Sequence, residues 1–261
     1  MDTLRSRIWL WCHNRGVYNN IKALHAESDY TPVEALEYMG VRNALMVVYG
    51  GKPEPPFDAI QEKYRRLDKV VWSIIGDASS KRNQEKTDIE EVIALGKKYP
   101  NVKGGIMDDF FQIGPNLSRV GDISARMHEA NLPLWVVLYA NQLDEAEKFN
   151  MSRILPLCDV VTFWTWWAKD LVKLKDNMAR ARRLIPADKR IVLGCYLWDF
   201  GAGAEVSSDM MDLQLNQARE WLLDGTIHDV ILLGSPLFGM NLKSIEQARQ
   251  WLDKYGETSV I

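Results

Sequence analysis

Eight short apolar runs recur along the chain, and a stretch of helical periodicity follows each one. No other feature limits the architecture as strongly. The runs are RIWLWCH (7–13), ALMVVYG (44–50), KVVWSIIG (69–76), VKGGIMDD (102–109), LWVVLYAN (134–141), DVVTFWTW (159–166), RIVLGCYLWD (190–199) and DVILLGS (229–235). All are rich in β-branched and aromatic residues, as strands are. Between them TPVEALEYM, FDAIQEKYRRL, TDIEEVIALGKKY, ISARMHEAN, AEKFNMSRILPLC, LVKLKDNMARARRLI, MMDLQLNQAREWLL and SIEQARQWLDKY place apolar residues at helical spacing. Helix starts agree with this reading: Thr31 precedes Pro32 at a first helical position, Thr87 with Glu90 fits a capping box, and Ser244 opens the last helix.

The strands are almost continuously apolar, which fits burial on both faces. Strictly alternating β and α segments make a parallel sheet, and eight repeats in 261 residues match the size of a (β/α)8 TIM barrel. A doubly wound open sheet fits less well, because no GxGxxG follows the first strand and no long insertion marks a crossover. No Pro/Gly/Ser linker or composition break divides the chain, so residues 1–261 are expected to form a single barrel domain.

Composition removes several function classes. Net charge is −3 with both signs spread along the chain, which leaves no electrostatic footprint for nucleic acid. No apolar run approaches the ~18 residues of a membrane span. The first residues, MDTLRSRIWLWCHN, lack the small-residue cleavage site of a signal peptide, so the expected location is cytoplasmic. Cys12, Cys158 and Cys195 are odd in number and without CxxC spacing, which reads as buried free thiols.

Barrel active sites are built at the C-terminal ends of the strands. Sampled there, the sequence gives Cys12-His13-Asn14-Arg15, Tyr49-Gly50-Gly51, Gly76-Asp77, Asp108-Asp109-Phe110-Phe111, Tyr139-Ala140-Asn141-Gln142, Trp164-Thr165-Trp166-Trp167, Tyr196-Leu197-Trp198-Asp199 and Gly234-Ser235-Pro236. The strand starts carry Lys69, Lys103, Asp159, Arg190 and Asp229 instead, which read as solvated charges. Aromatics, amides and acids thus gather at one rim. Flat aromatic faces beside hydrogen-bonding side chains suit a sugar ring. Trp164, Trp166 and Trp198 are the expected platform, with His13, Tyr49, Tyr139, Asn141 and Tyr196 as further substrate contacts. The competing reading is that the tryptophans plug the barrel.

The adjacent acids Asp108 and Asp109 are the candidate catalytic pair, because close charge and burial push two pKa values apart and leave one carboxyl protonated. Successive strand residues point to opposite sides, so the two share a pocket only where the strand breaks into its loop. Asp199 is a further acid, available for a two-strand scheme, and Asp77 is a third candidate that could equally open a turn. His13 could centre a metal set with the aspartates, but it is the one histidine at a strand end and no HExxH occurs, so no metal is expected. Ser235 lacks a GxSxG context. Gly201, Gly203 and Gly234 could line a phosphate or simply make a mobile loop.

An Asp-Asp pair ending the fourth barrel strand resembles that of the family 84 glycoside hydrolases, the O-GlcNAcase group. The resemblance covers Asp108, Asp109 and the barrel layout. It implies hydrolysis of 2-acetamido sugars in which the substrate's acetamido oxygen is the nucleophile, Asp108 polarises it and Asp109 is the general acid. The chitinase-type DxxDxDxE motif is absent, since no Glu follows the pair in GGIMDDFF. The expectation is a cofactor-free glycoside hydrolase acting on a small-molecule or oligosaccharide substrate. The alternatives are a saccharide-binding barrel without turnover, and a metal-dependent aldolase, isomerase or hydrolase.

Overall fold

The computed structural model describes residues 2–81 and 86–260. Eight strands, β1 (Ile8–Cys12), β2 (Asn43–Met46), β3 (Lys69–Ile75), β4 (Val102–Met107), β5 (Leu134–Tyr139), β6 (Val160–Trp164), β7 (Arg190–Tyr196) and β8 (Asp229–Leu233), pair in chain order. All pairings are parallel, and β8 returns to β1 to close the barrel. One α-helix follows each strand among the described residues: α1 (Pro32–Met39), α2 (Asp58–Gln61), α3 (Ile89–Lys98), α4 (Leu117–Glu129), α5 (Met151–Ile154), α6 (Leu174–Leu184), α7 (Ser208–Leu223) and α8 (Lys243–Tyr255). The (β/α)8 barrel read from the alternation is the fold.

Helix ends show where local signals hold and where they do not. At α1 the Thr31 side chain accepts from the Glu34 amide and the Glu34 carboxylate accepts from the Thr31 amide, with Pro32 at the first position. At α3 the expected Thr87/Glu90 box does not form; Asp88 occupies the cap position without a capping side-chain bond. Ser244 does not open α8. Its hydroxyl donates to the Leu197 carbonyl (2.5 Å), while the Glu205 carboxylate, from the loop after β7, accepts from the amides of Lys243 and Ser244. The segment FDAIQEKYRRL yields only α2 and a 3₁₀ turn at Glu62–Tyr64. There Trp72 of β3 stacks on Phe57 (4.7 Å between centroids) and donates to Gln61 (2.7 Å), so a tertiary contact fixes the turn.

Alternation along the strands divides the apolar residues into two cores. Ile8, Leu10 and Cys12 of β1 face the helices, whereas Trp9 and Trp11 enter the barrel. The interior is aromatic: Trp9 meets Trp135 edge-on at 5.2 Å, and Trp11 meets Trp164 at 5.3 Å. Each such burial is worth roughly 2–3 kcal/mol. Gly194 of β7 lies opposite Trp164 and makes this possible, because a Cβ there would sit 2.0 Å from the Trp164 ring. The three cysteines are buried free thiols, and burial pushes each thiol up. No described helix is long and apolar enough to cross a membrane.

Candidate active site

Strand β4 continues for one residue beyond Met107, because the Asp108 amide donates to the Ile75 carbonyl of β3 (3.0 Å). The chain then turns sharply: Asp109 has φ +47°, in the left-handed region, at a cost on the order of 1 kcal/mol. The turn breaks the alternation and brings two consecutive side chains to one cavity of about 300 Å³ at the C-terminal rim. Tyr18, Tyr49, Tyr139, Trp166, Tyr196 and Phe200 line it, together with Trp11, His13, Leu233, Asp77, Ala78 and Ser79. Neighbouring rings touch edge to face: Tyr18 with Tyr49 (5.4 Å), Tyr18 with Phe200 (5.5 Å), Tyr196 with Phe200 (5.6 Å), and Trp166 with both Tyr139 and Tyr196 (5.8 Å each).

The two acids have different surroundings. Asp108 is buried, and among the described residues its carboxyl makes one protein hydrogen bond, an oxygen accepting from the Asp109 amide (2.9 Å). Burial first, then the charges of Asp109 and Asp77, hold its carboxyl well above the usual carboxylate range. Asp109 is better supplied with donors: the Ala78 amide reaches one oxygen (3.0 Å), and the Tyr139 hydroxyl (2.9 Å) and Gln112 side-chain amide (3.0 Å) reach the other. Burial raises its pKa too, but the Ala78 and Tyr139 donors oppose the rise. Of the pair, Asp108 is the carboxyl that keeps a proton more readily. Burial pushes the Tyr18, Tyr139 and Tyr196 phenols well above 10, so they stand in the cavity as neutral donors.

His13 is buried with both nitrogens engaged. Its Nδ1 donates to the Val47 carbonyl (2.8 Å), and its Nε2 accepts from the Trp11 indole (3.1 Å). That arrangement requires the neutral ring, and burial lowers its pKa to about 4. It is a rigid wall of the cavity with no lone pair left for a metal. Among the described residues no group of three or more His, Cys, Asp or Glu is placed to hold one. Asp77 behaves as a turn residue: its oxygens accept from the Gly50 and Ser79 amides and from the hydroxyls of Ser79 and Ser80.

The structure brings Asp108, Asp109, His13, Tyr49, Tyr139, Trp166 and Tyr196 together, and it separates the other candidates from them. Trp164 lies inside the barrel, buried, with its indole donating to Thr162 (2.9 Å), so it plugs the lumen and forms no platform. Trp198 packs in the outer core beneath the helices. Asn141 is exposed and lines a neighbouring depression. Asp199 does not line the cavity. Its oxygens accept from the amides of Ala168 and Ala202 (3.0 Å each), tying the loop after β7 to the loop after β6. Gly201 lies against the Trp167 ring. Sequence sampling missed Tyr18 and Phe200, because both lie in loops beyond the strand ends. Their one signal is an aromatic residue within a few positions of a rim.

These elements define a (β/α)8 barrel with an acid pair in an aromatic cavity at its C-terminal face. No family model matches the chain, and no curated protein matches it in sequence. Among solved structures it is similar to a "putative alpha-L-fucosidase" from Bacteroides thetaiotaomicron, at 13% identity and a TM-score of 0.60 over 86% of this chain and 85% of that one. It is also similar to the beta-glucuronidase of Ruminococcus gnavus (10%, TM-score 0.54), covering 94% of this chain and half of that one. A tryptophan synthase alpha-subunit from Pyrococcus furiosus matches at 10% identity and a TM-score of 0.51, over 98% of this chain and 99% of that one. At these identities the likeness shows the barrel fold and nothing finer.

Proposed function

We propose that the chain is a glycoside hydrolase whose acid pair is Asp108 and Asp109. The observation that carries the reading is the unequal pair itself: a buried carboxyl favouring its proton beside one held by three donors, in an aromatic cavity. Barrel neighbours named as a beta-glucuronidase and a "putative alpha-L-fucosidase" are in keeping with it. The environments favour roles opposite to those implied by family 84. Asp108, protonated, is the general acid that gives its proton to the leaving oxygen. Asp109, anionic and oriented by Tyr139, receives the acetamido N–H and stabilises charge as the acetamido oxygen attacks the anomeric carbon. Trp166 and the tyrosines supply ring-stacking faces and neutral hydrogen-bond donors.

The test is turnover of a panel of nitrophenyl glycosides, 2-acetamido sugars included, by the wild type, Asp108→Asn and Asp109→Asn. Either variant is expected to lose about 10²–10⁴-fold on an acetamido substrate. Loss in Asp108→Asn is expected to shrink with a dinitrophenyl leaving group, which needs no proton. No turnover of any member by folded wild type would sink the hydrolase reading. A saccharide-binding barrel without turnover is the second reading, favoured by one observation: both oxygens of Asp109 already accept from the protein. Saccharide binding without hydrolysis would select it.

A further inference from the structure

Past β6 the chain runs Thr165-Trp166-Trp167, and the two tryptophans take different positions. Trp166 borders the acid-bearing cavity. It also borders a second depression of about 190 Å³, which Trp167 lines and the acids do not reach. Both residues are half-buried. Trp167 is seated rather than loose: a Cβ at residue 201 would come within 2.2 Å of its ring, so only glycine lets the loop after β7 approach it. Thr165, 5% exposed, lines the same depression, and its buried hydroxyl has no protein hydrogen-bond partner among the described residues. Asn141 and Asn177 add amides at its edge. Its charges balance, with Lys173 and Arg180 against Asp144 and Asp170, and Arg180 pairs with Asp144 at 2.5 Å. A balanced, amide-rich, aromatic depression suits a neutral polyhydroxylated ring better than an anion.

We infer that this depression is a second saccharide subsite, so that the substrate is a neutral oligosaccharide with one ring at Asp108 and Asp109 and the next on Trp167, bridged over Trp166. The inference rests on the proposed saccharide site and extends it to a substrate class. The tandem tryptophans at one strand end then have separate duties: one faces the ring being released, the other holds the rest of the chain.

The experiment compares methyl N-acetyl-β-glucosaminide, whose one-carbon aglycone is too small to cover Trp167, with the β-1,4-linked N-acetylglucosamine trimer. Wild type, Trp167→Ala and Asn177→Ala are used, the last a half-buried position on α6 that keeps the test valid if Trp167→Ala misfolds. Both variants are expected to lower kcat/KM for the trimer, about tenfold for Trp167→Ala, chiefly through KM. The methyl glycoside should be unaffected. Equal loss on both substrates, or no loss on the trimer, overturns the subsite while leaving the hydrolase reading intact. If neither substrate is turned over, the hydrolase reading fails, and binding followed by tryptophan fluorescence decides the subsite. Tighter binding of trimer than of free N-acetylglucosamine, abolished in Trp167→Ala, supports it. No preference for the trimer, or one unchanged in the variant, overturns it.

Discussion

Replacing Asp108 with Asn should make the protein more stable while removing its proposed acid. Burial and the neighbouring Asp109 raise the Asp108 carboxyl well above the usual 3.8. Between that value and the raised one, the folded chain holds a proton that the unfolded chain has released. Stability therefore falls as pH climbs through the window. Asparagine keeps the oxygen that accepts from the Asp109 amide (2.9 Å) and removes the buried ionisable group. The gain at pH 7 should be on the order of 1–2 kcal/mol, the usual yield from relieving a strained functional site. For 261 residues the unfolding entropy makes each kcal/mol worth about 2 °C, so Tm should rise by about 2–4 °C. Thermal unfolding of both proteins, followed by the fluorescence of the ten tryptophans from pH 4 to 8, reads this directly. The difference should narrow towards pH 4, where Asp108 is protonated in the folded and increasingly in the unfolded state. A variant less stable at pH 7, or a difference independent of pH, would refute the reasoning.

Three other outcomes follow from the same geometry. Gly194→Ala should lower stability by roughly 1–3 kcal/mol in thermal unfolding, since its Cβ would overlap the Trp164 ring at 2.0 Å. Asp199→Ala leaves the Ala168 and Ala202 amides without their acceptor and should cost about 1–3 kcal/mol in denaturant unfolding. Turnover should persist in that variant, whereas a loss as deep as that of Asp108→Asn would return Asp199 to the acid pair. His13, lowered to about 4 from 6.5 by burial, stays neutral in the folded chain while the unfolded chain takes up a proton. Its contribution is complete above pH 6.5 and is lost as pH falls towards 4. His13→Gln, which can still donate to Val47 and accept from Trp11, should flatten the stability profile across that window.

The sequence by itself determined the barrel. Eight apolar runs, each answered by a helical stretch, leave one closed parallel arrangement, because every strand then buries both faces. It also located the acid pair, since Asp108 and Asp109 end the fourth run and the rim is where such barrels hold their chemistry. Tertiary structure decided which rim residues meet. Alternation shows that Trp164 and Trp166 share a face but not that the first sinks into the lumen, where it fits only because Gly194, on the neighbouring strand, has no side chain. Asp199 looks like a third acid until the amides of Ala168 and Ala202 are seen to hold it. Tyr18 and Phe200 lie in loops whose paths are set by contacts with distant strands. The unequal surroundings of Asp108 and Asp109 are likewise beyond the sequence, because the donors that distinguish them, Ala78 and Tyr139, come from loops and strands about thirty residues away on either side. Periodicity is local and is written in the chain; burial, and the pKa values that follow from it, depend on what the closed barrel brings alongside.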